Sequence, residues 1–183
     1  MAKKAVAYDE KAIQSLDALE HIRLRTGMYI GRTGDGSHPL DGIYVLVKEV
    51  IDNSIDEFIM GVGKRIEVTL EDNICSIRDF GRGIPLGKVV DCVSEINTGG
   101  KFNDDVFQFS VGLNGVGTKA VNALSSTFEV ISYREGKYKR ARFERGKLLE
   151  EKSGKDSKSS SGTLVQFEPD PEIFKNYEWN REF

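Results

Sequence analysis

Cysteine, histidine and long apolar runs are nearly missing from this chain. The two cysteines, Cys75 and Cys92, stand among apolar neighbours without metal-type spacing, so they read as reduced core residues. The two histidines, His21 and His38, leave little material for Ser–His or Cys–His chemistry. The longest purely apolar run, Ile43 to Val47, is five residues, far below the roughly 20 needed to cross a bilayer. Lys3 and Lys4 are not followed by an apolar core, so no signal peptide is expected, and the reading is a cytoplasmic protein without a membrane partner. Neither sign of charge dominates: 26 Lys and Arg against 29 Asp and Glu give −3 over 183 residues. A main nucleic-acid grip would tip a small domain clearly basic, so this segment is not expected to be one.

Glycine is what the chain has in excess, 19 residues, eight of them between Gly81 and Gly117. Only four prolines accompany them, so the clustering is local and does not mark a disordered chain. Around it, the periodicity predicts one α+β domain. Residues 1–15 form a polar arm, and 16–183 a two-layer sandwich whose mixed, mostly antiparallel sheet is covered on one face by helices. Helices are expected over 15–25, 42–60, 86–96 and 118–124, with a final helix-like segment opened by Pro171. Strands are expected over 65–70, 74–79, 127–133, 138–143 and 163–167, a weaker one over 147–150, and a solvated loop over 152–161.

Three segments carry candidate chemistry. The helix over 42–60 places Glu49, Asp52, Asn53, Asp56 and Glu57 on one stripe, beside an apolar stripe of Ile43, Val47, Val50 and Phe58. This is either a solvated face or a set of oxygen ligands in which Asn53 meets Mg²⁺ and Glu49 acts as a base on water. The turn from Asp79 through Gly81, Arg82, Gly83, Ile84 and Pro85 follows a strand. It is either an ordinary loop or a carboxylate placed to accept from a ligand amino group such as that of adenine. The stretch from Thr98 to Lys119 ends in Gly112-Leu113-Asn114-Gly115-Val116-Gly117-Thr118-Lys119, where backbone N–H groups suit phosphate and Lys101 and Lys119 add charge. No P-loop pattern exists. Gly115 to Ala120 matches the dinucleotide fingerprint and Glu135 lies twenty residues on, but that reading leaves the acidic helix and the Asp79 turn unexplained. Thr163, entering a late strand after Gly162, is either a β-propensity choice or faces the site.

Glu49-x-x-x-Asn53, Asp79-x-Gly81-x-Gly83, Gly112 to Gly117 and Gly162-Thr163, in this order, resemble the ATP-binding module of gyrase-type topoisomerases, Hsp90 chaperones, sensor histidine kinases and MutL proteins. Arg25 to Gly31, Thr98 to Phe102 and the run from Gly112 to Ser125 resemble the B subunits of bacterial type IIA topoisomerases, those of topoisomerase IV more than those of gyrase. That resemblance implies the Bergerat (GHKL) fold, with ATP and Mg²⁺ as cofactors. Glu49 would be the general base and Asn53 the Mg²⁺ ligand. Asp79, with Thr163, would hold adenine, and Gly83 and Ile84 would line its pocket. Lys101 and the segment Gly112, Leu113, Asn114, Gly115, Val116, Gly117 and Thr118 would wrap the phosphates. Tyr8 would reach the partner protomer's nucleotide, while Arg82, Pro85 and Arg134 would stand at the inhibitor-binding mouth. Homodimerisation through the arm, a heterotetramer with an A subunit, and DNA held by the whole enzyme are also implied. Thr26, Phe80 and Asn114 depart from the usual Pro, Asn and His of the family. The resemblance further implies a fragment that stops before the last helix and strand of the nucleotide domain and before the transducer domain. Such a fragment is expected to bind ATP, dimerise poorly and hydrolyse slowly or not at all. The alternatives are a MutL- or Hsp90-type ATPase, a dinucleotide oxidoreductase and a non-catalytic nucleotide sensor.

Overall fold

The computed structural model describes residues 16–96, 98 and 115–183. The expected arm and the expected site residues Tyr8, Lys101, Gly112, Leu113 and Asn114 lie outside the described residues. Six strands form one sheet: β1 (Ile66–Glu71), β2 (Ile74–Asp79), β3 (Ser125–Arg134), β4 (Lys137–Glu144), β5 (Lys147–Lys155) and β6 (Gly162–Pro169). Their order is β1-β2-β6-β3-β4-β5, and every neighbouring pair is antiparallel. The expectation of a mixed sheet is thus corrected, among the described residues, to an antiparallel one.

Strand periodicity decides which residues turn inward. In β2 the buried row is Cys75, Ile77, Asp79; in β3 it is Phe128, Val130, Ser132; in β4 it includes Ala141 and Phe143; in β6 it includes Val165 and Phe167. Helices α3 (Gly42–Ile59), α4 (Val89–Ser94) and α5 (Gly117–Ala123) cover that face with Ile43, Leu46, Val50, Val89, Val93, Ala120 and Val121. Each fully buried aliphatic or aromatic side chain of this kind contributes about 1.5–3 kcal/mol against exposure. Two inward rows therefore end on polar residues, Asp79 and Ser132. The pairing Ser132↔Thr163 brings Thr163 to the same end of the sheet.

Several local expectations are corrected. Helix α1 (Ala18–Leu24) is capped by Asp17, whose carboxylate accepts from the Glu20 N–H at 2.8 Å, so it starts later than the 15–25 span expected for it. A short helix α2 (Gly27–Ile30) follows, in a stretch for which the sequence predicts none. The expected 86–96 helix is a 3₁₀ turn, Leu86–Lys88, followed by α4, because Pro85 leads in with extended ψ. Strand β5 takes the first residues of the expected loop, since Ser153 and Lys155 pair with Lys139 and Lys137. Residues 171–176 turn without forming a helix, and Phe174 anchors them in the core. On α3, Leu46 packs inward while Phe58, expected in the apolar stripe, is 59 % exposed and outside the core.

Candidate functional site

Helix α3 carries two working ends. Glu49 and Glu57 are eight residues apart, which is about 12 Å along a helix axis. At the first end, Asn53 lies one turn beyond Glu49, and its Nδ2 donates to the Glu49 carbonyl at 2.8 Å and to Thr118 Oγ1 at 2.9 Å. With both amide hydrogens so directed, the orientation of the side chain is set. Gly117, the first residue of α5, approaches so closely that a Cβ there would stand 1.9 Å from Glu49 Oε2. A carboxylate, a side-chain amide, a hydroxyl and a helix-opening glycine thus converge from α3 and α5.

At the other end, Asp79 is held by the loop that follows β2. Its Oδ1 accepts from the N–H groups of Gly81 (2.9 Å) and Thr163 (3.1 Å). Among the described residues no hydrogen bond reaches Oδ2, which leaves that oxygen for a donor from outside. Burial pushes the Asp79 carboxyl above its ordinary value, and the two N–H groups and Arg78 offset this only in part. Gly83 has φ +73°, and a Cβ there would meet the Tyr133 carbonyl oxygen at 2.6 Å and Ser132 Oγ at 2.9 Å. Ser132 Oγ donates to the Ile84 carbonyl at 2.6 Å, so β3 fixes the height of the 83–84 segment. Arg134 Nη1 reaches the Gly83 carbonyl at 3.5 Å.

The two ends are joined by Glu57. Arg82 donates to it from its backbone N–H (2.9 Å), Nε (3.0 Å) and Nη2 (2.8 Å), and Gly81 packs on its methylenes. Lys48 pairs with Asp52. Two of the four carboxylates on this stripe, Asp52 and Glu57, are therefore paired with cations of the protein itself. Asp52 and Asp56 are buried in α3, away from solvent.

The structure brings together Glu49, Asn53, Gly117 and Thr118 as one group. Asp79, Gly83, Ile84, Thr163 and Arg134 form another, which Arg82 ties to Glu57 of α3. Gly115 (φ +61°) and Val116 lead into α5, and Pro85 is exposed beside the loop. Lys119, expected to offer charge to phosphate, is 4 % exposed and donates instead to the Thr98 carbonyl at 2.6 Å. Sequence reasoning missed Ser132, although its place at the end of the Phe128, Val130 row marks it as an inward-facing polar residue. The dinucleotide reading fails on topology. Helix α5 runs directly into an antiparallel strand, and the sheet holds no parallel pair among the described residues.

No group of three or more His, Cys, Asp or Glu side chains gathers as a metal cluster among the described residues. This donor set suits Mg²⁺, which commonly takes one or two protein oxygens and completes its shell with phosphate and water. No helix among the described residues is long and apolar enough to cross a membrane.

Comparison with known proteins agrees with this geometry. Over 180 residues the chain is 64 % identical to the B subunit of DNA topoisomerase 4 from Borreliella burgdorferi, covering 98 % of this chain and 30 % of that protein. It is 42 % identical over 184 residues to the B subunit of DNA gyrase from Thermotoga maritima, covering 94 % of this chain and 28 % of that protein. The chain thus spans less than a third of these curated relatives. Among solved structures, it is similar to the 43K ATPase domain of Thermus thermophilus gyrase B, crystallised with an aminocoumarin. That match has a TM-score of 0.73 and 34 % identity, covering 91 % of this chain and 43 % of that one. Residues 39–173 match the description shared by these folds, and the chain belongs to the family of histidine kinase-, DNA gyrase B- and HSP90-like ATPases.

Proposed function

We propose that this chain is the ATP-binding part of a type II DNA topoisomerase B subunit, of the topoisomerase IV kind. Residues 16–183 would form the nucleotide domain and residues 1–15 an arm. The observation that carries the reading is the pairing of a base-and-amide group on α3 with a buried carboxylate at the end of β2. Asp79 Oδ2 accepts from the adenine amino group while Oδ1 stays on backbone N–H groups. Thr163, Gly83 and Ile84 wall the base. The triphosphate lies along α3 toward Asn53 and the start of α5, where Gly115, Val116, Gly117 and Thr118 offer backbone N–H groups and a hydroxyl. Lys101, Gly112, Leu113 and Asn114 belong to the same phosphate set.

Hydrolysis needs no covalent nucleophile. Glu49 removes a proton from the water that attacks the γ-phosphorus, the bond to the ADP oxygen breaks, and inorganic phosphate leaves. Mg²⁺, held by Asn53, would neutralise charge on the phosphate oxygens. In the whole enzyme, ATP-driven closure of a B-subunit dimer, with Tyr8 reaching the partner's nucleotide, would act with an A subunit in a heterotetramer to pass one DNA duplex through another. The near-balanced charge of this part agrees with DNA being gripped by other parts. Arg82, Pro85 and Arg134 would meet competitive inhibitors at the mouth, and the enzyme would work in the bacterial cytoplasm.

The test is calorimetric titration of the chain with a non-hydrolysable ATP analogue and with NAD, with and without Mg²⁺. Binding of the analogue alone, strengthened by Mg²⁺, is expected; binding of NAD in preference overturns the reading. Decatenation of linked DNA circles by the full-length protein with its A subunit, faster than supercoiling, separates the topoisomerase IV kind from the gyrase kind.

A further inference from the structure

Resting on the ATP-site reading, we infer that Lys119 is a positioning residue for the phosphate end of the site, acting through Gly117 and Thr118 on Glu49 and Asn53. Lys119 is among the most buried charged side chains of the protein, 4 % exposed, in a helix of only seven residues. A buried ammonium is costly unless its hydrogens are directed to oxygen, so it is informative where it points. Its Nζ donates to the backbone oxygen of Thr98 at 2.6 Å.

Three consecutive residues of α5 thus face three different neighbours. Gly117 lies on Glu49, the Thr118 hydroxyl takes the Asn53 amide, and Lys119 takes Thr98. At about 100° per residue they fan over roughly 200° of the helix circumference. A helix this short has few internal hydrogen bonds to hold its two turns in register, so side-chain ties, together with the core packing of Ala120 and Val121, set how its first turn sits. Asn122, three residues on and on the same face as Lys119, donates to the Val93 carbonyl at 2.9 Å. Lys119 and Asn122 therefore anchor one face of α5 to Thr98 and Val93. The adjoining side then presents Gly117 and Thr118 to α3 at a fixed angle. Removing Lys119 leaves the second turn tied by Asn122 and releases the first turn, which is the one that touches Glu49 and Asn53. Asp79, Thr163 and Gly83 are held by the loop after β2 and by β3, so the adenine end is untouched.

The test compares wild type with Lys119→Met, which keeps length and loses charge and donor. Calorimetry follows a non-hydrolysable ATP analogue with and without Mg²⁺, and ligand-observed NMR follows adenosine. Lys119→Met is expected to weaken analogue binding in Mg²⁺ at least fivefold and to shrink the gain from Mg²⁺, with adenosine affinity within twofold of wild type. The double variant Lys119→Met/Thr118→Ala should bind no more weakly than the weaker single variant, because both act on one contact. Lys119→Arg, which keeps a charged donor, should recover part of the loss. Equal losses for analogue and adenosine, unchanged affinities, or full additivity of the two substitutions overturn the inference. Should Lys119→Met not fold, Lys119→Gln is read by the same two ratios. A wild type that binds neither ligand defeats the ATP-site reading itself, whereas normal wild-type binding with unmoved variants defeats only the role of Lys119.

Discussion

Gly117 occupies the space directly beside the Glu49 carboxylate: a Cβ on this glycine would stand 1.9 Å from Oε2. The relationship couples a backbone position on α5 to a side chain on α3 that is 68 residues earlier. Gly117 lies in a helix, where alanine is the better former by about 1 kcal/mol. Gly117→Ala should therefore leave the melting temperature within a few degrees, because the carboxylate end of Glu49 is flexible and swings aside. ATP turnover of the full-length enzyme should fall about 10²-fold or more, the scale of a lost general base. In a Glu49→Ala background the same substitution should cost nothing further. Turnover that survives Gly117→Ala would show that Glu49 is not held where the base is needed.

Asp79 sets stability against binding. Its carboxyl is pushed above the ordinary 3.8 by burial, so the folded state binds a proton more tightly than the unfolded chain. The sign follows: Asp79 costs stability once pH rises through the interval above 3.8, and the cost persists at neutral pH. Asp79→Asn keeps an Oδ1 for the Gly81 and Thr163 N–H groups and removes the charge. It should be as stable as wild type at pH 7, or up to about 1 kcal/mol more so, and should lose the decline that sets in as pH rises above 3.8. Its Nδ2 faces the adenine donor with another donor, so affinity for an ATP analogue should fall more than tenfold. Urea titrations across pH, paired with calorimetry, check both halves. A variant that binds normally removes adenine from this oxygen.

The polar ends of the site were legible because they interrupt patterns. Asp79 ends an alternating strand, and Glu49 and Asn53 stand one helical turn apart beside an apolar stripe. The strands were legible for the same reason, apart from β5. Its buried pattern is too weak to show over Lys147–Lys155, an edge strand that among the described residues pairs only with β4. What could not be read were ties between distant residues. Nothing local to Glu57 announces Arg82, and nothing near Lys119 announces Thr98. Pro171 resembles a helix start in sequence, and only the burial of Phe174 in the core explains the turn that forms instead. Such pairs are set by how the layers meet, which periodicity within one element does not encode.

The Glu57–Arg82 contact makes a sharp claim about side-chain type. Glu57 receives a forked guanidinium and the backbone N–H of the same residue, and Arg82 holds its proton more firmly for it. Arg82→Ala should cost about 1–3 kcal/mol by leaving a half-buried carboxylate short of donors. Arg82→Lys should recover less than half of this, since one ammonium cannot supply Nε and Nη2 together. Denaturant midpoints of the three proteins decide it, and full recovery by lysine would reduce the contact to simple charge.

Asp170 is the acid-sensitive point of the fold. It is fully buried, and burial alone would raise its carboxyl. Hydrogen bonds from Arg145 (2.8 Å), the Glu172 N–H (3.0 Å) and Arg23 (2.7 Å) outweigh burial and bring it below the ordinary value. Arg23 also donates to the Ala123 carbonyl at 2.7 Å, so this carboxylate ties α1, the end of α5 and the β4–β5 turn together. A depressed carboxyl contributes stability that is complete above its unfolded value of about 4 and is lost as pH falls through the folded one. Asp170→Asn leaves two arginines facing a neutral amide and should cost about 3 kcal/mol at pH 7. The wild-type advantage over the variant should be constant from pH 5 to 8 and shrink below pH 4. An advantage that instead shrinks as pH rises from 5 to 8 would show that the carboxyl is not held below its ordinary value.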